Sequence, residues 1–350
     1  MAAACYSSPV TSPSQKKTSS PPSAESLYQK NLDSDARYSY SGRKFDTTWL
    51  DDGRSMTTVT RVSHLAPDDF RFVYTAPARR RGSIVLQAGH DQWTYVPRTN
   101  HLFHAALPPI PSSKAAAAKF SLLKANYRLV VSPLPTRIAG RKVYEVTMLP
   151  RVASRPRQRF WIDPYTGVWL RSEETRSDGS YVFVTYYSEI DFHPKFPPLF
   201  FSASSLKRIG TRVVEARAER HVAPQAHLPP AKIKTALNGA AIVPSRLGRY
   251  VLQSATVLGG SSNPTVQIHY SDGLKTVSLS EATRTSKLPT VVPGSHAVIF
   301  SRGQIGRGTR SHGFNLLSWD AGALNLTLVG DVSLRTLAAF ARQVQATKPH

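Results

Sequence analysis

The chain has 350 residues with 45 Lys+Arg against 22 Asp+Glu, a formal charge of +23; 41% of it is hydrophobic, 9% aromatic, and one residue is cysteine. At roughly 150 residues per domain this length predicts two domains with separate cores, and Leu, Val, Ile, Phe and Tyr recur too evenly for a disordered chain. No apolar run approaches the roughly 18–20 residues of a membrane-spanning helix, a lone Cys5 excludes a disulfide framework or a multi-thiolate zinc site, and the charge predicts an anionic partner without choosing among nucleic acid, phospholipid and acidic protein.

Residues 6–26 are rich in Ser and Pro and read as a flexible tether. Ahead of them Ala2-Ala3-Ala4-Cys5 is similar to a bacterial lipobox, in which the cysteine is acylated, although no charged or apolar signal region precedes it. Two readings of Cys5 stand: a lipidation site or an ordinary exposed thiol.

A short helix is expected over Ser26–Asp33, and from there strands dominate. Period-two alternation predicts Tyr38–Phe45, Met56–Ser63, Asp69–Tyr74, Ser83–Gln87, Gln92–Val96, Tyr127–Ser132, Lys142–Leu149, Gln158–Asp163, Val168–Thr175 and Tyr181–Glu189. Turn signals such as Asp163…Gly167 and Asp178-Gly179 separate them closely enough to favour antiparallel hairpins. One helix, Ser112–Asn126, is marked by its alanines and by the prolines that stop anything earlier. The expected architecture is α+β: a curved antiparallel half-barrel with a helix across its concave face. Prolines over 192–232 argue against regular structure and mark a connection. Beyond it strands are predicted at Arg249–Leu258, Thr265–Tyr270, Thr276–Glu281, Ala297–Arg302, Phe314–Ala321 and Ala323–Val329, and a helix at Ser333–Gln345 with Ser333 as N-cap. The division is a tether over 1–25, a first domain over 26–200, a linker over 201–232 and a smaller α+β domain over 233–350.

Several strings in this order resemble one family. Tyr40-Ser41-Gly42, Ile138-Ala139-Gly140-Arg141, Phe160-Trp161-Ile162-Asp163 with Thr166-Gly167, the run from His269 through Ser271-Asp272-Gly273-Leu274 to Leu279, and Leu328-Val329-Gly330-Asp331 with Thr336-Leu337 are similar to motifs of the MucB/RseB proteins, regulators of sigma-E-type envelope stress signalling. Asp69-Phe70-Arg71-Phe72 and Gln92-Trp93-Thr94-Tyr95 are similar also to the lipoprotein carrier LolA, whose fold the family's first domain resembles. The resemblance implies a periplasmic or otherwise extracytoplasmic binding protein. It would hold the extracytoplasmic segment of an anti-sigma factor and shield it from proteolysis, with lipid, lipopolysaccharide or lipoprotein acyl chains as further ligands and a homo-oligomer as a further assembly. A LolA-like carrier of lipid or lipoprotein is the alternative.

Candidate residues follow from side-chain chemistry. Phe70, Phe72, Trp93, Tyr95, Trp161 and Trp169 sit on strands, and Phe120 and Leu123 on the helix; they either fill the sheet–helix core or line an open groove for acyl chains. Arg79, Arg80, Arg81, Arg141, Arg155, Arg157 and Arg159 either form a solvated basic surface or bind lipid phosphates or an acidic peptide, for which arginine forks are suited. Asp272-Gly273 reads as a hairpin turn, and Gly303, Gly306 and Gly308 as a glycine-rich loop without the Lys-Ser/Thr of a phosphate loop. The scattered histidines suggest no metal site, no nucleophile elbow or placed acid pair points to an enzyme, no cofactor is expected, and no DNA- or RNA-reading motif supports a nucleic-acid partner.

Overall fold

The computed structural model describes residues 21–50, 53–107, 113–151, 157–176, 178–215, 233, 237, 241–258, 264–284, 295–301, 303–311 and 314–347. Tether residues including Cys5, and Arg155, lie outside them.

A helix, α1 (Ala24–Leu32), opens the fold; the Ser23 side chain accepts from the Ser26 amide, satisfying a donor that the first turn leaves unpaired. After the short α2 (Ser34–Arg37) come β1 (Tyr40–Trp49), β2 (Ser55–Leu65), β3 (Asp69–Ala76), β4 (Ile84–Ala88), β5 (Asp91–Val96) and β6 (His101–Ala106). Helix α3 (Ser113–Asn126) leads into β7 (Tyr127–Val131), β8 (Thr136–Ile138), β9 (Arg141–Pro150), β10 (Arg157–Ile162), β11 (Trp169–Thr175), β12 (Tyr181–Asp191) and β13 (Arg212–Glu215). Among the described residues these make one thirteen-stranded sheet in the order β13-β6-β5-β4-β3-β2-β1-β12-β11-β10-β9-β7, with β8 on β9. Every pairing is antiparallel except β13 with β6. Its two ends, β13 and β7, do not meet, so the curved sheet is an unclosed half-barrel. Helices α1 and α3 cover the β7–β10 end: Ala24 and Leu27 pack on Tyr144, Val146 and Ile162, and Leu123 on Tyr127 and Met148.

The second sheet holds β14 (Arg246–Leu247), β15 (Tyr250–Leu258), β16 (Thr265–Ser271), β17 (Thr276–Thr283), β18 (His296–Ser301), β19 (Gln304–Ser311), β20 (Phe314–Ala321) and β21 (Leu324–Gly330), ordered β14-β15-β16-β17-β21-β20-β19-β18. Across it lies the C-terminal helix Leu334–Ala346, N-capped by Ser333 as its sequence position suggests. Leu337, Ala338, Phe340, Ala341 and Val344 recur at three- and four-residue spacing and join Ile268, Leu279, Leu317, Leu326 and Leu328 in one core.

Two expectations need correction. The glycine-rich loop is a strand: after a turn at Gly303, β19 runs through Gly306 and Gly308. A Cβ at Gly306 would lie 2.8 Å from Leu317 Cδ1, and one at Gly308 2.6 Å from Val298 Cγ2. The glycines admit close neighbours rather than a ligand. The Pro-rich stretch is also more regular than its composition suggests. Leu206 is fully buried against Leu86 and Leu102, which returns the chain to β6, and after the five residues 207–211 Arg212–Glu215 add a parallel edge strand to it.

Candidate functional site

The eight groove candidates fall into separate clusters. Phe70 and Phe72 stack on each other at 5.8 Å and join Trp161 and Trp169 beside Tyr40, Val62 and Tyr187. Trp93 and Tyr95 belong to another cluster with Ile84, Leu86 and Leu102, covered by Phe201 and Leu206. Phe120 and Leu123 pack with Tyr28, Tyr127, Met148 and Phe160 under helix α3. An apolar cleft of about 490 Å³ does exist, but its walls come from the Pro-rich stretch: Pro194, Phe196, Leu199, Phe200 and Phe201, with Leu65 opposite. Sequence reading took that stretch for a connection, since prolines mask the apolar content of a segment that has no periodicity.

The arginine candidates divide by partner. Arg141 donates through Nε to Asp163 Oδ2 at 2.8 Å and lies over the Phe192 ring; Asp163, fully buried, also accepts the Tyr165 and Thr166 amides in the expected turn. That guanidinium serves a local network. On β10, Arg157, Arg159 and Trp161 share a face. The register brings Glu173 of β11 and Glu145 of β9 to the same face, and Arg159 pairs with both. Arg171 also pairs with Glu173, so two guanidiniums flank the Trp161 ring above a buried carboxylate. Alternation alone exposes the arginines of one strand; only register reveals the acids that neutralise them. Arg79, Arg80 and Arg81 remain exposed in the turn between β3 and β4, with Arg80 3.6 Å over the Tyr74 ring.

The most elaborate polar construction lies where the two sheets meet. The β16–β17 turn is the expected hairpin, and it is also a tongue inserted against the first sheet. Asp272 is fully buried: its Oδ1 accepts the Leu274 and Lys275 amides, while its Oδ2 accepts the Tyr127 hydroxyl at 2.9 Å. Asn126, the last residue of α3, donates from Nδ2 to the Asp272 carbonyl at 3.0 Å. Leu274 packs into the cluster of Leu123, Tyr127 and Met148. Gly273 has φ +95°, and a Cβ there would lie 2.3 Å from the Leu123 nitrogen. The turn therefore needs glycine twice, for its backbone conformation and for its approach to α3.

Lys275 completes the junction by bridging Glu174 of β11 and Asp331 just after β21. Burial by itself would lower the Lys275 pKa, but the two carboxylates outweigh it and hold the ammonium above its ordinary value. Burial pushes the Glu174 carboxyl up, and Lys275 opposes that push. A three-charge cluster of this kind holds position more than it adds stability, since its ions have lost water on both sides.

A second polar clamp fixes the far edge of the first sheet. His104 of β6 stacks on Trp93 at 4.0 Å and contacts Asp91 through Nε2 and Glu215 through Nδ1, each at 2.7 Å. The hydrogen bond to Asp91 raises its pKa, burial opposes, and Glu215 adds to the rise.

An unclosed half-barrel joined through a hairpin tongue to a second sheet-and-helix body defines a two-body fold, with no helix among the described residues long and apolar enough to cross a membrane. Residues 78–203 match the family model of the MucB/RseB N-terminal domain. In structure the chain is similar to MucB in the Pseudomonas aeruginosa MucA/MucB complex, at 16% identity, covering 93% of this chain and 99% of that one with a TM-score of 0.58. It is similar also to MucB in complex with MucA(peri), at 16% identity over the same shares with a TM-score of 0.56. At this identity the likeness establishes the shared two-body fold. No curated protein sequence matches the chain.

Proposed function

We propose that this protein is an extracytoplasmic regulator that binds an anti-sigma factor's extracytoplasmic segment and shields it from proteolysis, its first body responding to lipid. The observation that carries this reading is the likeness along 93% of the chain, both bodies together, to a protein described in complex with MucA. The family match in residues 78–203 supports it. A docked pair of bodies offers an extended peptide more surface than either body alone, and a cleavage site held there is withheld from a protease. Lipid would act by favouring one arrangement of the bodies through differential affinity. The cleft of Leu65, Phe196, Leu199 and Phe200 is the apolar lining that supports an acyl-chain site.

The test is co-purification of the chain with the extracytoplasmic segment of a candidate anti-sigma factor from the same organism, followed by proteolysis of that segment with and without the chain. A stable complex that slows cleavage, and a faster cleavage on adding lipid, are expected. A segment cut at the same rate in both mixtures would overturn the regulator. The same apolar cleft favours a second reading, a lipid or lipoprotein carrier, and stoichiometric extraction of acyl chains from vesicles without any segment binding would establish that one instead.

A further inference from the structure

Strand direction gathers several turns at one end of the first sheet. β1, β3, β5 and β11 run toward this end; β2, β4, β6 and β12 run away from it, and β13, parallel to β6, begins there. The described turn residues Leu50, Gly53 and Arg54, those of 77–83 and 97–100, Arg176 and 178–180, and 207–211 therefore lie along one rim. They touch in sequence around it. Trp49 packs on Tyr181 at 5.4 Å, Arg79 Nη2 lies 2.6 Å from Met56 Sδ, and Asn100 Nδ2 donates to the Ile209 carbonyl at 3.0 Å.

This rim is cationic and apolar at once. Arg79, Arg80 and Arg81 occupy one turn, Arg98 the next, and Lys207 and Arg208 a third; all are exposed and none pairs with a carboxylate among the described residues. Asp178 is the acid of these turns among the described residues, while Asp51 and Asp52 lie outside them. Between the cations stand apolar side chains. Ile209 is fully exposed at 102%, beside Gly210, and Met56, Leu50 and Tyr181 are 45%, 42% and 40% exposed. A single exposed aliphatic is ordinary; four on a contiguous rim among unpaired guanidiniums are not.

We propose that this rim docks onto an anionic phospholipid bilayer. Guanidinium forks take headgroup phosphates, and Ile209, Leu50 and Tyr181 enter the boundary between headgroups and acyl chains. The apolar tips favour a bilayer over a nucleic acid, which would use the charges and leave Ile209 idle, and binding to protein-free vesicles separates a bilayer from an acidic protein segment. Docking here orients the half-barrel with its strands steeply inclined to the membrane and the His104 edge beside it. This goes beyond the proposed anti-sigma and acyl-chain sites and stands if either fails.

Flotation of the full chain with vesicles tests it, in a Cys5→Ser background so that no acyl chain contributes. Partition onto phosphatidylcholine–phosphatidylglycerol vesicles is expected to exceed that onto pure phosphatidylcholine by on the order of tenfold. R79S/R80S/R81S lowers it about tenfold or more, and Ile209→Ser about fivefold. R246S/R335S, which removes two exposed cations from the second body, leaves it within about twofold. Equal partition onto both vesicles, or an equal loss per charge in the second-body variant, would overturn the proposal. So would an Ile209→Ser variant that binds like its parent, which would assign the rim to a purely ionic partner. Circular dichroism melts matching the parent's keep each comparison between folded proteins.

Discussion

Gly273 is the residue of the tongue where a side chain is least tolerated, since a Cβ there would lie 2.3 Å from the Leu123 nitrogen. Replacing it with alanine puts a methyl group into the backbone of α3 and forces φ +95° on a residue with a Cβ. Gly273→Ala is expected to cost about 3 kcal/mol and to part the two bodies, read as an increased radius of gyration in small-angle scattering. Lys275→Met tests the neighbouring charges: it strips Glu174 of its counter-ion and should destabilise by about 3 kcal/mol, with Lys275→Met/Glu174→Gln recovering much of that in a double-mutant cycle. Glu281 gives a pH signature. Burial pushes its carboxyl up to about 8, opposed by the Ile242 amide that donates to it. The folded state holds a proton there that the unfolded state has released above its ordinary value of 4.5, so stability falls as pH rises from 4.5 toward 8. Denaturation at several pH values should show a loss on the order of 3 kcal/mol by neutrality, and Glu281→Gln should flatten the profile.

Elements were legible wherever a segment carried its own periodicity. The alternating strands, the alanine-rich helix and the C-terminal helix with its Ser333 cap form where their patterns predict. Those that escaped, α2, β6, β8, β13, β14 and β19, are short or are held by a neighbour rather than by their own pattern. β13 is an example: its place depends on β6 and on Glu215 reaching His104. The hydrogen-bonded imidazolium contributes stability that is complete below histidine's ordinary value of about 6.5 and is lost as pH rises through the raised folded value. Amide exchange across Arg212–Glu215 should therefore quicken at alkaline pH more than exchange in β4, and His104→Asn should remove the difference. Equal protection of both strands at every pH would assign the edge strand's hold to its backbone bonds alone. The basic elements carry the same lesson. The arginines of β10 looked available from one strand, and the register with β9 and β11 returned Glu145 and Glu173 to them.

At the scale of the whole molecule, the two bodies meet, among the described residues, at the hairpin tongue, so small changes there ought to act on any partner that spans both bodies. If the proposed anti-sigma segment lies across the junction, Gly273→Ala should weaken its binding about tenfold or more while each sheet keeps its circular dichroism. Unchanged binding would confine the segment to one body. Composition, periodicity and turn residues were enough to predict a mostly antiparallel first sheet, the helices α1 and α3 and the net charge, because each of these depends on residue counts or on residues a few positions apart. Pairing across the molecule lay beyond them. Asp272 and Gly273 announce a hairpin in any context, but that the hairpin reaches Asn126 and Tyr127 depends on a contact 145 residues away. Likewise, the +23 charge is visible in the residue count, whereas its sorting into neutralised ladders and a rim where Arg79, Arg80 and Arg81 face no carboxylate among the described residues arises only when strand direction and register bring distant side chains face to face.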